Sequence, residues 1–451
     1  MGKKDSVSKL SASSRYRSER LPEVLYEYRF NKLFDRYKAI LKKQKRLRKN
    51  PFEGSDDMDA VDWAKFVFGF VLVPLRILFL FVVFLISSLV QVAIVSGQDT
   101  SKPLPDYVMR MQQMVSYVSS NVACFVLGFI IDVKGEPVPI EECKVQVFGP
   151  HSSWLDAIIM SYANDGYPLS AVGKAELASN PLSKRVTKAT QNIMVDRANR
   201  ENKDAAKEAI IERATSPEWK RRVVLFPEGT THNRTSLIQF KGGAFNPGVP
   251  IQPVVIRWDE EIAWASGSAS RMWLALRALA EPYHVCQVEF LPVYHPNDEE
   301  KENPIFFANN VREVMAKALD VGTTEFGFPD RALAKYVAKR DMLPSKVLNF
   351  PFAEVVEEIR GRAVDMRKFE SDIKGQLLAD VKLLLKFFVE FCDKAESKLS
   401  EENFEQLMGK KFEERLKIEG KGLNWSSFPI SEDNDISFKK FAIGVLRVKY
   451  D

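Results

Sequence analysis

Hydrophobic and polar positions divide the 451-residue chain into three regimes. Through residues 21–49, Leu25, Tyr28, Phe30, Leu33, Phe34 and Tyr37 are interleaved with Arg and Lys, which predicts a basic helix. From Phe66 to Val95 the interleaving stops, and thirty residues carry a single charge, Arg76. As one straight helix that run would measure about 45 Å, longer than a ~30 Å hydrocarbon core. Pro74 and Arg76 interrupt it early, leaving Ile77–Val95 as the expected membrane span. A second charge-free run, Met114–Ile131, has Ser116, Ser119, Ser120 and Asn121 in its first half. It reads as a second span, a half-buried helix or an amphipathic element under the folded domain.

Beyond residue 133 short apolar runs alternate with helical patterns. Lys144–Gly149, Leu169–Val172, Arg222–Phe226, Pro250–Arg257 and Val285–Val293 read as strands, and Asn202–Ala214 as a helix. This alternation predicts an α/β fold with a mixed central sheet flanked by helices. Residues 352–451 are helical, charged and distinct. The expected division is a basic cytosolic tail over 1–65, membrane-embedded helices over 66–132, the α/β domain over 133–330, a linker over 331–364 and a helical domain over 365–451.

Charge refines this division. Residues 1–50 hold 16 Lys and Arg against 5 Asp and Glu, so a chain of net charge +5 has a strongly basic start and a mildly acidic body. A basic segment can meet nucleic acid or an anionic membrane. The apolar run that follows favours the membrane, and no nucleic-acid partner is expected. By the positive-inside rule, the cluster from Lys42 to Lys49 puts the N-terminus in the cytosol. Residues 1–20 lack the apolar core of a cleavable signal peptide. Met1-Gly2-Lys3-Lys4-Asp5-Ser6 fits the N-myristoylation pattern, as an ordinary chain start also can. Cys124, Cys143, Cys286 and Cys392 are scattered and suggest neither a metal site nor a disulfide framework.

Candidate chemistry gathers at two turns. His151-Ser152-Ser153-Trp154-Leu155-Asp156 follows the strand closed by Gly149-Pro150 and precedes an apolar helical start. An imidazole there can take a proton from an alcohol, and a carboxylate can hold its tautomer and stabilise the imidazolium. A surface histidine beside a helix-capping aspartate would give the same letters. Phe226-Pro227-Glu228-Gly229-Thr230 is the second turn, with Lys241 following. Glu228, Gly229, Thr230 and Lys241 could hold a head bearing hydroxyls and phosphate, although an ordinary β-turn would also fit. Arg197 ends an apolar run and could clamp a phosphate, or pair with Asp196 or Glu201. The G-x-S-x-G elbow of serine hydrolases is absent. Gly420-Lys421-Gly422 follows no clear strand and is not a dinucleotide loop.

These residues resemble the glycerolipid acyltransferase family. His151 and Asp156 match its first motif, Phe226-Pro227-Glu228-Gly229-Thr230 its third, and Val249-Pro250-Ile251-Gln252-Pro253-Val254 its fourth. The stretch from Asn233-Arg234-Thr235 through Phe240 to Gly248 looks like the lysophosphatidylcholine and lysophosphatidylethanolamine acyltransferase branch. Three positions depart: Gln191 where the family has Gly, Met194 where it has an aromatic, and Gly242 where the branch often has Pro. The resemblance implies acyl transfer from acyl-coenzyme A, as co-substrate, to a glycerol hydroxyl of a lysophospholipid. His151 would be general base and Asp156 its orienting partner. Glu228, Gly229, Thr230, Lys241 and Arg197 would position the acceptor, and neither metal nor cofactor is expected. A lysophosphatidic acid or glycerol-3-phosphate acyltransferase, and a non-catalytic membrane adaptor, stand as alternatives. The expected place is the endoplasmic reticulum membrane with the catalytic domain facing the cytosol. Such a domain needs a hairpin or monotopic insertion, because a single crossing would put it in the lumen. Asn233 and Asn424 both begin N-glycosylation patterns, so a glycan on Asn424 would contradict the cytosolic placement.

The C-terminal part also resembles acyltransferases that end in EF-hands. Leu399-Ser400 precedes Phe404, and Ile436-Ser437 precedes Phe441, a spacing of 37 residues between the two serines. In that register the first loop would run from Cys392 to Asn403, and the second from Pro429 to Lys440. Neither ends in the bidentate carboxylate that calcium needs. The expectation is therefore a degenerate EF-hand-like pair that binds no calcium.

Overall fold

The computed structural model describes residues 35–43, 50–54, 58–196, 199–259, 263–264, 270–361, 373–408, 410–418, 423–431 and 434–450. Gly2 and most of the expected basic tail lie outside the described residues. α1 (Ala60–Phe70) is started by Asp59, whose carboxylate accepts from the Val61 and Asp62 amides. α2 (Val73–Ile94) follows after a short break. Pro74 stands in its first turn, where a missing N–H leaves nothing unpaired. The proline therefore starts the helix, and the expected span beginning at Ile77 misses its first turn. α3 (Asp106–Leu127) runs back along α2 and ends at Gly128, which takes the left-handed conformation.

Arg76 is the reason a charge survives in α2. It is 5% exposed, and its five N–H groups all meet backbone carbonyls. Nε donates to Val126, Nη1 to Leu279 and Glu281, and Nη2 to Leu127 and Pro282. A guanidinium suits this place because it offers five donors in a fixed fork. It ties the start of α2 to the end of α3 and to the segment Leu279–Pro282. The other end of the hairpin is docked too. Gln191 Nε2 donates to the carbonyls of Thr100 (3.0 Å) and Lys102 (2.7 Å), and Lys220 Nζ lies 2.8 Å from Asp106. The hairpin thus lies along the protein body. Its outer face is apolar and open, with Phe81 at 61% exposure and Phe125 at 86%. By length and composition α2 could cross a bilayer, with mean hydropathy 2.8 over its most apolar window. The second charge-free run is half-buried α3: Val108, Gln112, Ala123 and Leu127 face in, Met114, Val118 and Phe125 face out.

The sheet follows. In chain order its strands are β1 (Phe129–Lys134), β2 (Val145–Gly149), β3 (Leu169–Lys174), β4 (Ile193–Val195), β5 (Arg222–Leu225), β7 (Ile251–Trp258) and β8 (His284–Phe290). Their spatial order is β1-β8-β7-β2-β5-β3-β4, and every pair is parallel except β7–β8. The sheet is therefore mixed, as expected. β2, β5 and β7 are buried at every residue, the signature of strands covered on both faces. Between them lie α4 (Asp156–Ala163), α5 (Pro181–Ala189), α6 (Arg200–Thr215) and α7 (Arg271–Ala280). After β8 comes α8 (Pro304–Leu319). On one face Val147 and Leu225 pack with Ala206 and Ile210 of α6 and Phe307 and Val311 of α8. On the other, Phe148 and Val224 pack with Ile159 of α4, Ala278 of α7 and Leu127 at the foot of the hairpin. A short parallel pair, β6 (Ser236–Leu237) with β9 (Gly322–Thr323), stands apart.

The expected linker over 331–364 is not a linker where it is described. α9 (Phe328–Ala338) and α10 (Phe352–Arg360) bury Leu333, Ala334, Val337, Val355 and Ile359 in the same core as the C-terminal helices. That core continues through α11 (Lys374–Phe391), α12 (Glu401–Leu407), α13 (Lys410–Leu416) and α14 (Phe438–Tyr450). β10 (Lys398–Ser400) pairs antiparallel with β11 (Asp435–Ser437), Leu399 facing Ile436. The charged residues after Asp330 in α9 and those of α10 stand on the outward faces of amphipathic helices, and the apolar positions of both helices form the core.

Replacing Arg76 by Leu should cost at least about 3 kcal/mol, since several buried carbonyls lose charge-assisted donors. Thermal unfolding of the detergent-purified protein should show a clear drop in Tm, and Arg76→Lys should recover only part of it. An unchanged Tm for Arg76→Leu would contradict the anchoring role.

Candidate active site

β2, near the middle of the sheet, delivers His151 just beyond its end at Gly149. β5, its neighbour, delivers the turn from Pro227 to Thr230. Both turns stand at the carboxyl ends of parallel strands, the edge where open α/β sheets take ligands. They border a cleft of about 1200 Å³, which His151, Gly229, Thr230 and Lys241 all line.

The pair is built around one oxygen. Asp156 opens α4 and is fully buried, and its Oδ2 accepts from the Ser152 and Ser153 amides at 2.8 Å. The same oxygen lies 2.9 Å from His151 Nδ1. A carboxylate so placed accepts, so Nδ1 carries the proton and Nε2 is left with its lone pair. The imidazole is 26% exposed and stacks on Phe226, with centroids 4.2 Å apart. Burial on one side and stacking on the other hold the ring in a single pose. Its free edge can act as a base toward a group in the cleft.

Glu228 takes a different position from the one its motif suggests. It does not line the cleft. It is fully buried, and Oε2 accepts from the His151 backbone N–H at 2.6 Å. Its Oε1 lies 2.6 Å from Nε2 of His232, also fully buried. His232 Nδ1 accepts from the Arg234 amide at 3.2 Å, which fixes Nε2–H as the donor to Glu228. His232 N also donates to the His151 carbonyl at 3.0 Å. Glu228 and His232 thus clamp the backbone of His151 from behind. Gly229, at φ +64°, has a left-handed backbone that favours glycine, and a Cβ there would meet Lys241 Nζ at 2.9 Å, so any side chain would have to displace that lysine. Lys241 Nζ lies over the Phe328 ring, 4.8 Å from its centroid. Arg197 lies outside the described residues.

The family departure at Gln191 has a local explanation. Its φ is +52°, a conformation that favours glycine. The side chain serves the hairpin tip and a buried guanidinium, since Gln191 Oε1 accepts from Arg221 Nε at 2.7 Å. Burial holds Arg221 down at a pKa of about 10, still charged at neutral pH. Asn233, the first glycosylation sequon, is fully buried, with its amide donating to the carbonyls of Asn50 and Glu53. A glycan cannot occupy it in the folded protein. Asn424 is exposed.

Sequence reasoning missed His232. The available signal was its position four residues after Glu228 in a strand-free polar run. Replacing His232 by Ala should lower kcat roughly tenfold with little change in KM if His151 acts as a base, because it loosens the loop that carries His151 and not a cleft wall. His232→Gln keeps an N–H toward Glu228 and should restore part of the rate. Equal losses in kcat and Tm, with no rescue by Gln, would show a merely structural role.

Residues 131–257 match the family model described as acyltransferase. The chain is 34% identical over 289 residues to lysophosphatidylcholine acyltransferase 2B of Mus musculus, covering 62% of this chain and 55% of that one. It is 33% identical over 288 residues to lysophosphatidylcholine acyltransferase 2 of Homo sapiens, covering 62% and 52%. Lysophosphatidylcholine acyltransferase 1 of Rattus norvegicus is 34% identical over 338 residues, covering 72% and 61%. The chain thus spans between half and two thirds of the length of these curated relatives. Among solved structures, the 1-acyl-sn-glycerophosphate acyltransferase of Thermotoga maritima aligns with a TM-score of 0.36 at 17% identity, over 55% of this chain and 96% of that one. The stretch that carries His151, Asp156 and the Glu228 turn lies within the match to the acyltransferase family model, and the relatives named above are lysophosphatidylcholine acyltransferases.

Proposed function

We propose that the protein is an acyl-coenzyme A-dependent lysophospholipid acyltransferase. The observation that carries this reading is the His151–Asp156 pair, fixed with Nε2 toward a cleft whose walls include Trp154, Met160 and Leu274. Nε2 takes the proton of the glycerol hydroxyl as its oxygen attacks the thioester carbonyl. Asp156 stabilises the imidazolium that forms. The tetrahedral intermediate collapses by breaking the C–S bond, and the imidazolium returns its proton to the departing thiolate. One ester and free coenzyme A result, with no acyl-enzyme. Thr230 lines the cleft and its hydroxyl is buried without a partner among the described residues. It is a donor within reach of a bound substrate oxygen. Gly229 and Lys241 position the acceptor in this reading, and Glu228 acts by holding His151.

The apolar outer faces of α1, α2 and α3 fit a protein that sits in one leaflet. Both ends of the α2–α3 hairpin dock on the body, which favours monotopic insertion over a crossing and keeps the catalytic domain on the side where it began. A cytosolic face at the endoplasmic reticulum is consistent with a cytosolic thioester donor. The antiparallel β10–β11 pair supports reading the C-terminal part as a degenerate EF-hand-like pair. Lys398 Nζ lies 2.6 Å from Asp435, and Asp393 Oδ1 accepts from the Ala395 and Glu396 amides. Carboxylates occupied in this way favour a structural pair over a calcium sensor.

The test is an acyl-transfer assay on the purified full chain in lipid nanodiscs. The acceptors should include lysophosphatidylcholine, lysophosphatidylethanolamine, lysophosphatidic acid and glycerol 3-phosphate. Transfer to a lysophospholipid is expected, and His151→Ala should lower it about 10²–10⁴-fold. Near-wild-type transfer by folded His151→Ala would overturn the mechanism.

A further inference from the structure

The cleft has a charge that the His–Asp chemistry does not require. Eight of the described residues lining it are Lys or Arg, and none is Asp or Glu. Two helices supply most of this charge. On α6, Lys203 and Lys207 face the cleft with Ala206 and Ile210, a spacing that defines one helical face. On α9, Arg331, Lys335 and Lys339 do the same with Ala338, while Leu333, Ala334 and Val337 point into the core. α9 lies well beyond residues 131–257, so the acyltransferase-family match does not include it. Asp330 pins its first turn, accepting from the Gly327 amide at 2.7 Å and from the Phe352 amide at 2.6 Å. Lys241, on the Phe328 ring at the start of α9, links this wall to the Gly229 turn.

Charge arithmetic separates the candidate ligands. A lysophosphatidylcholine headgroup carries one phosphate balanced by its own quaternary ammonium, so an all-cationic wall would repel half of it. The nucleotide end of an acyl-coenzyme A bears a diphosphate and a phosphate monoester, about −4 at neutral pH. The position agrees. α6 packs on the sheet face opposite the one that holds Leu127 and the foot of the apolar hairpin. Its lysines therefore stand away from the surface that would enter lipid.

We propose that α6 and α9 form the subsite for the phosphates of the acyl donor, with Lys203 and Lys207 on one wall and Lys335 and Lys339 on the other. The nucleotide sits between the two helices, and the pantetheine arm carries the thioester along the cleft to His151. This rests on the acyltransferase reading. All four lysines are exposed, so their replacement leaves the core intact.

The test compares the full-length wild type with K335E/K339E and K203E/K207E in phosphatidylcholine nanodiscs. Five quantities are measured: kcat/KM for an acyl-coenzyme A, kcat/KM for the same acyl group on pantetheine, the KM of the lysophospholipid, the Kd of adenosine 3′,5′-bisphosphate, and binding to phosphatidylserine vesicles. Each double variant should lower the ratio of the two kcat/KM values roughly tenfold or more, through KM for acyl-coenzyme A. It should weaken the bisphosphate by a similar factor and leave the lysophospholipid KM near the wild-type value. An unchanged ratio overturns the proposal. If the acceptor KM rises instead, the lysines serve the lysophospholipid phosphate. If only binding to phosphatidylserine vesicles weakens, they are a membrane patch. Failure of the wild type to transfer acyl groups would sink the acyltransferase reading, whereas loss of bisphosphate binding in the variants would still support an anion subsite.

Discussion

The site depends on two buried carboxylates that point at the same short loop from opposite sides. Asp156 Oδ2 gathers the imidazole and the amides of Ser152 and Ser153. Glu228 takes the amide of His151 itself. Buried carboxylates are costly unless hydrogen-bonded; Asp156 Oδ2 and Glu228 Oε2 meet that need with the loop they organise and Glu228 Oε1 with His232, while Asp156 Oδ1 has no partner among the described residues. The loop then has little freedom, and the ring of His151 inherits that rigidity. His232 completes the arrangement by donating to Glu228, so one histidine helps to hold another.

A second constraint concerns where the lipid meets the protein. A hairpin that left the body would swing freely, but Arg76 at its foot and Gln191 with Asp106 at its tip hold it down along its length. Its open face then presents apolar side chains beside the catalytic half of the chain. The cationic helices α6 and α9 are carried by the other side of the sheet and by the C-terminal core. The proposed division of labour follows: lipid approaches from one side, and a soluble polyanion from the other.

Much of the fold was legible because its signals are local and strong. β2, β5 and β7 are short apolar runs with Gly or Pro at or near one end, and the sequence placed each to within a residue or two. β1 was hidden, because Phe129-Ile130-Ile131 continues the apolar run of α3 and only Gly128 separates them. β4 is three residues long, too short for any period to show. The linker expectation failed for a related reason. α9 and α10 read as charged because their outer faces are, and their apolar stripes find a partner only in distant helices. His151 and Asp156 were visible as a spacing, and the structure brings them together. The inward turn of Glu228 was not visible, since a sequence shows that a carboxylate is present and not which way it faces.

The account's central claim is that His151 moves a proton and the acyl group passes directly to the acceptor. The most direct measurement is rapid-quench mixing of the purified full chain with radiolabelled acyl-coenzyme A, with and without lysophosphatidylcholine, followed by intact-protein mass spectrometry. The account predicts coenzyme A release only when acceptor is present, and no acylated protein at any time. A burst of coenzyme A without acceptor, together with an acyl adduct on the protein, would contradict it.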